Sequence, residues 1–144
     1  MGKKNKIKPP VNYDFESSNN RYEFVKICRD MMKSKAWSEL TVREIGLYLH
    51  LKSKFTVNRN TLNNNKDDIS IPTKEVKLLY KNNLRGFRKD IDLLIECGFI
   101  KQNISGWNTR TVNIYGFSDK WKYYGTDKFK IEDKDRRYKP KRIL

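Results

Sequence analysis

The chain has 144 residues, enough for one domain with tails. Hydrophobic residues make up 37% and charged residues 34%, so a core can form but no large enzyme cavity is implied. With 32 Lys and Arg against 17 Asp and Glu, the formal net charge is +15, which favours a polyanion partner over an acidic one.

No run approaches the ~18 apolar residues of a membrane span, and the opening MGKKNKIKPP lacks the apolar centre of a signal peptide. Cys28 and Cys97 both fall in apolar surroundings and read as reduced, packed thiols without a disulfide. A cytoplasmic protein that makes no use of a membrane is the expectation.

Residues 1–20 hold Lys3, Lys4, Lys6, Lys8, two prolines and a Ser/Asn cluster without a period, and read as a flexible basic arm. Such an arm is either solvated or laid on a DNA backbone. The folded domain is expected over 21–125. Residues 22–27 alternate weakly, as an edge strand would, and 29–40 suggest one or two short helical turns around Met31, Met32, Ala36, Trp37 and Leu40.

Thr41 and Glu44 match a capping box, opening a helix to about Phe55. Its inner face is read as Val42, Ile45, Leu49 and Lys52, broadened by Leu47, Tyr48 and Leu51. His50 stands alone on it and reads as packed or partly exposed, not as a metal ligand.

A polar loop over 56–68 leads to a short strand at Ile69, Ser70 and Ile71, and Pro72 sits where a helix start tolerates it. Val76, Leu79 and Tyr80 face inward on that helix, while Lys74, Lys77 and Lys81 face out. Lys81, Asn82 and Asn83 turn into the next helix, a spacing of the helix-turn-helix kind.

In LRGFRKDIDLLIECGFI, Leu84, Phe87, Ile91, Leu94 and Ile95 make one apolar stripe. The opposite side carries Arg85, Gly86 and Lys89, with Arg88 on its flank. Gly98 ends the helix. Two β-prone runs, 99–104 and 111–117, flank a polar turn that contains Gly106, Trp107, Asn108 and Arg110. Trp121 then packs back from a turn or short helix. Residues 126–144 read as a disordered basic tail, because 130–142 holds seven basic and three acidic residues and no apolar period. Neither tail is expected to contribute to stability.

The segments DMMKSKAW, TVREIGLYL, ISIPTKEVKLLY, FRKDIDLLIECGFI and VNIYGFSDKWKYYG together resemble the small winged helix-turn-helix proteins of bacterial plasmids, phages and conjugative elements. The resemblance covers residues 22–125. It implies an α+β fold of three main helices with a small antiparallel sheet and wing. It also implies double-stranded DNA as partner, in replication, conjugative transfer or transcription control. Gly86 departs from the family, which often places Thr or Ser at that position.

A helix fits the major groove, where Arg and Lys can donate twice to guanine. Arg85 and Lys89, one turn apart, are the expected readers, with Arg88 beside them. Asn82 and Asn83 can read adenine or cap the helix, with capping favoured for Asn83. Lys74, Lys77 and Lys81 suit phosphates. Gly86 either permits close approach to the DNA or relieves packing on the preceding helix. In the wing, Arg110 and Asn108 border a minor groove, Trp107 packs on sugar or shields the hairpin, and Lys101 points from the same sheet.

Enzyme chemistry finds no support. One histidine, no Cys/His metal spacing, no Walker loop and no nucleophile elbow are present. Asp90 and Asp92, two apart, fall on different helix faces, and Asp67-Asp68 lacks the further ligands of a calcium site. No cofactor is expected. The alternative is a non-enzymatic adaptor that uses the same scaffold to contact a protein. A homodimer or another mobile-element protein stands as a second partner.

Overall fold

The first strand lies between the third and fourth helices and the other two follow as a hairpin, so the sheet joins one distant strand to a local pair. The structure, a computed structural model, describes residues 24–58, 60–107 and 109–139. The N-terminal arm, residues 22 and 23 of the expected edge strand, Asn108 and residues 140–144 lie outside that description. Residues 24–28 form no strand, because no partner strand faces them.

Two single-turn helices follow, α1 (Arg29–Met32) and α2 (Lys35–Ser38). Ser34 caps the second by accepting from the Trp37 amide at 3.2 Å. The main helices are α3 (Val42–Ser53), α4 (Thr73–Tyr80) and α5 (Leu84–Glu96). At the start of α3 the Thr41 amide donates to the Glu44 carboxylate at 2.9 Å, and the Thr41 hydroxyl meets the same carboxylate.

The inner face of α3 differs from the sequence reading. Glu44, Leu47, Tyr48 and Leu51 are buried, whereas Val42 is 87% exposed and Leu49 is also exposed. Glu44 closes the capping box at the helix start, while the face carrying Leu47, Tyr48 and Leu51 packs into the core and α3 lies against α5. On α4, Val76 is buried as expected, but Leu79 is exposed.

The sheet has three antiparallel strands, β1 (Ile69–Ser70), β2 (Ile100–Ile104) and β3 (Ile114–Phe117), in the order β1-β3-β2. Tyr115 pairs with Ile69 on one side and Gln102 on the other. The register slips between Gln102 and Ile104. Asn103 sits in that irregularity and donates to the Asp67 carbonyl at 2.7 Å.

The end of α5 turns directly into β2. Gly98 has φ of +84°, the Gly98 amide donates to the Ile95 carbonyl at 3.0 Å, and the Phe99 amide donates to the Leu94 carbonyl at 3.0 Å. This is a Schellman arrangement. A Cβ on Gly98 would also lie 2.6 Å from the Trp121 backbone nitrogen, so both φ and packing require glycine.

Phe99 is fully buried at the centre of the aromatic core, 5.5 Å from Tyr48, 5.9 Å from Trp37 and 6.4 Å from Trp121, measured between ring centroids. Trp121 comes from a 3-10 turn, Lys120–Tyr123, and stacks within 8° of parallel on Phe99. Cys97 is buried in this core, whereas Cys28 is exposed, contrary to the apolar setting read for it.

The segment after Gly125 is ordered through its described part, contrary to the disordered tail read from composition. A second 3-10 turn, Asp133–Asp135, places the following residues along α5 and β2. Arg137 makes a two-pronged pair with Asp92 (3.1 and 3.1 Å), Arg136 reaches Glu96 at 2.6 Å, and Lys120 reaches Asp135 at 2.8 Å. The Tyr138 amide donates to Gln102 Oε1 at 2.9 Å, and Ile131 packs against the core. Among the described residues no helix is long and apolar enough to cross a membrane.

Candidate nucleic-acid interface

The outward surface of α4 and α5 is held in place by a single buried carboxylate. Asp90, on α5, is 1% exposed. It accepts from Arg43 Nε at 3.1 Å, from Arg43 Nη2 at 2.8 Å and from the Tyr80 hydroxyl at 2.7 Å. One side chain therefore ties α3, α4 and α5 together. The hydrogen bond and charge of Asp90 raise the Arg43 pKa, and burial followed by the same carboxylate raises that of Tyr80. A second clasp joins α3 to α4: Glu75 lies 2.7 Å from Lys54 Nζ and 3.2 Å from His50 Nε2, and the hydrogen bond from Lys54, followed by that from His50, holds its pKa below the usual carboxylate value. His50 is thus partly exposed and paired.

The turn between α4 and α5 is unusually tight for its residues. Lys81 (φ +48°) and Asn82 (φ +67°) both take the left-handed conformation without being glycine. Each such residue costs about 1 kcal/mol or more. Asn83 then caps α5, its Oδ1 accepting from the Gly86 amide at 2.9 Å.

That cap accounts for Gly86. The glycine is buried, and a Cβ there would meet Asn83 Nδ2 at 2.7 Å. It leaves room for the capping side chain and does not stand on the outward face, so it has no surface to offer DNA. Lys74, Lys77, Lys81, Asn82, Arg85, Arg88 and Lys89 are all exposed. Lys74, Lys77 and Asn82 line one shallow groove with Leu78.

The β2–β3 turn projects beside this surface. A Cβ on Gly106 would fall 1.9 Å from the Thr111 carbonyl oxygen, so only glycine lets the two arms of the turn approach. The Thr111 amide donates to the Gly106 carbonyl at 3.1 Å, and the Gly106 amide to Asn113 Oδ1 at 2.8 Å. Trp107 and Arg110 are exposed here, and with Arg88 they line one cleft between the turn and α5.

Lys101 is not part of that cleft. It lies across the sheet, 3.7 Å from Asp67. The neighbouring Gln102 points the other way, toward the C-terminal segment, because alternate strand residues face opposite sides. The sequence pattern did not reveal Asp90, Arg137 or Tyr138 as determinants of this surface. The one available signal was an Asp interrupting a basic helix face one position before the core residue Ile91.

The cations of this surface lack acidic partners, as do Lys26, Arg29, Lys33, Lys35, Lys52, Lys66, Lys128 and Lys130 elsewhere among the described residues. What marks this surface is that its unpaired cations lie together on α4, α5 and the wing. Among the described residues Lys74, Lys77, Lys81, Arg85, Arg88, Lys89 and Arg110 have no acidic group within 4.0 Å, whereas Arg43, Lys54, Lys101, Lys120, Arg136 and Arg137 are all engaged. No group of three or more His, Cys, Asp or Glu among the described residues is placed to hold a metal ion. Comparison with protein-family models, with characterised proteins and with solved structures finds no match for this chain.

Proposed function

We propose that this chain is a sequence-specific double-stranded DNA-binding protein built as a winged helix, with α4 and α5 as its helix-turn-helix and the β2–β3 turn as its wing. The observation that carries the reading is the set of seven exposed cations on α4, the turn, α5 and the wing, none with an acidic partner among the described residues. Unpaired cations on a projecting helix are the arrangement that phosphates neutralise and a major groove accepts. Arg85 and Lys89 read bases, Lys74, Lys77 and Lys81 take phosphates, and Arg110 and Trp107 approach the neighbouring groove. The protein acts without enzymatic chemistry. The resemblance noted from the sequence carries its assignment to a mobile element, in replication, transfer or transcription control.

The test is a duplex titration over graded salt. With ~6 phosphate contacts, log affinity should fall against log salt with a slope of about −5. Failure to bind any duplex, or affinity indifferent to salt, ends the reading.

One observation favours an adaptor as second reading: Val42 and Leu79 are exposed around a groove between α3 and the end of α4. The double substitution Val42→Asp, Leu79→Asp should leave duplex affinity unchanged if DNA is the partner of the α5 face.

A further inference from the structure

The cleft between α5 and the wing is chemically mixed in a way that duplex DNA alone does not satisfy. Its rim carries Arg88 and Arg110, two exposed cations. Its floor is apolar, made by Ile71, Val76, Leu84 and Phe87. One wall is aromatic: the Trp107 indole, 59% exposed, lies 6.4 Å from the Tyr138 ring between centroids. The cleft encloses about 910 Å³, room for a drug-sized molecule.

A duplex presents phosphates and sugars at its surface and keeps its base faces stacked inside. Phosphates laid across the rim would satisfy Arg88 and Arg110 and leave the floor and the indole wet. A base released from its partner supplies what is missing, because every base has a π-face and a sequence-independent stacking energy on aromatic side chains.

We propose that this cleft seats one unpaired nucleotide, its base against Trp107 and over the apolar floor and its phosphate between Arg88 and Arg110. The inference rests on the nucleic-acid reading of this surface and names the substrate of one part of it. Tyr138 supports the indole and is itself fixed from behind. Its amide donates to Gln102, and Arg137 beside it is locked on Asp92 by two hydrogen bonds of 3.1 Å. The C-terminal segment therefore completes the pocket.

The ligand chemistry has two sources, a free mononucleotide or an unpaired nucleotide within a strand. The test compares the full chain against a blunt duplex, the same duplex with a short single-stranded overhang, and a free deoxynucleoside monophosphate as competitor, at one salt concentration. The overhang should bind about tenfold or more tighter than the blunt duplex, with quenching of Trp107 fluorescence. Tyr138→Ala and Trp107→Ala should remove that gain, and Trp107→Phe should retain most of it because a ring face remains. Blunt-duplex affinity of Tyr138→Ala should match wild type, which also reports that the variant is folded. Competition by the mononucleotide at low concentration identifies a free nucleotide as the occupant; competition only by strands identifies DNA. Blunt and overhung duplexes binding equally, with no mononucleotide competition, overturns the inference while leaving the duplex reading intact. Loss of binding to every duplex overturns both.

Discussion

Replacing Asp90 by Asn isolates the tie between the three helices, because the two side chains are nearly equal in volume. The carboxylate accepts three hydrogen bonds in a setting 1% exposed. A hydrogen bond to an ionised group contributes ~1.5–3 kcal/mol and a neutral one ~0.5–1.5, so removing the charge costs about 1 kcal/mol per bond. Asn also presents an NH2 group where only acceptors stood, and at least one of the Arg43 and Tyr80 donors must face it. Arg43 is 60% exposed, so water replaces part of what it loses, and the net cost is about 2 kcal/mol. At roughly 4 °C per kcal/mol for a domain of this size, the thermal midpoint should fall by about 8 °C. The assay is thermal and urea unfolding of wild type, Asp90→Asn, Tyr80→Phe and the double variant. Because the two residues share one hydrogen bond, the double variant should lose less than the sum of the singles. Additive losses, or an Asp90→Asn midpoint within about 2 °C of wild type, would refute the view that this carboxylate organises the helices.

Three further outcomes are expected. Arg85→Ala and Lys89→Ala should each cost up to ~1–3 kcal/mol on a preferred site and reduce discrimination, whereas Lys77→Ala should weaken all duplexes about equally; a randomised-site binding series at fixed salt separates the two patterns. Removing residues 126–144 should lower the thermal midpoint by about 4 °C or more, through loss of the Arg137–Asp92 pair and the Tyr138–Gln102 bond, and an unchanged midpoint would show that the segment adds no stability. At pH 8 a maleimide should label Cys28 promptly and Cys97 only on unfolding, since burial removes Cys97 from contact and pushes its thiol up to about 11; mass spectrometry of the labelled peptides decides, and equal labelling would contradict the packing.

Local patterns carried the helices that have a strong apolar period. Ile91, Leu94 and Ile95 on α5 are buried as the stripe implied, and Thr41, Glu44 and Gly98 mark helix ends by chemistry visible within a few residues. The misreadings share a cause, which is that distant partners decide burial. Asp90 looks solvated beside Lys89 until Arg43, 47 positions earlier, is placed against it. Glu44 is buried and Val42 exposed because the face α3 turns inward is set by its packing on α5, some forty positions away in the chain. Residues 126–139 have no period at all, and their order comes from ion pairs with Asp92 and Glu96 that no window along the chain contains. The outward cations Lys74, Lys77, Arg85, Arg88 and Lys89 were legible, since exposure of a charged residue is the default. Gly86 was not, because its role is to make space for a neighbour.

The clasp of Arg137 on Asp92 also imposes an order of events. The two residues are separated by 45 positions. At a synthesis rate of ~5–20 residues per second, α5 waits roughly 2–9 s for its partner to be made. During that interval α3, α4 and α5 can close around Asp90, but the Asp92–Glu96 edge is bare and the aromatic wall beside Trp107 is unfinished. In the mature protein the same segment, tied mainly by partly exposed polar contacts, should be the first to exchange its amide hydrogens, ahead of β2 beneath it. Its detachment would uncover two carboxylates next to a cationic helix without unfolding the rest.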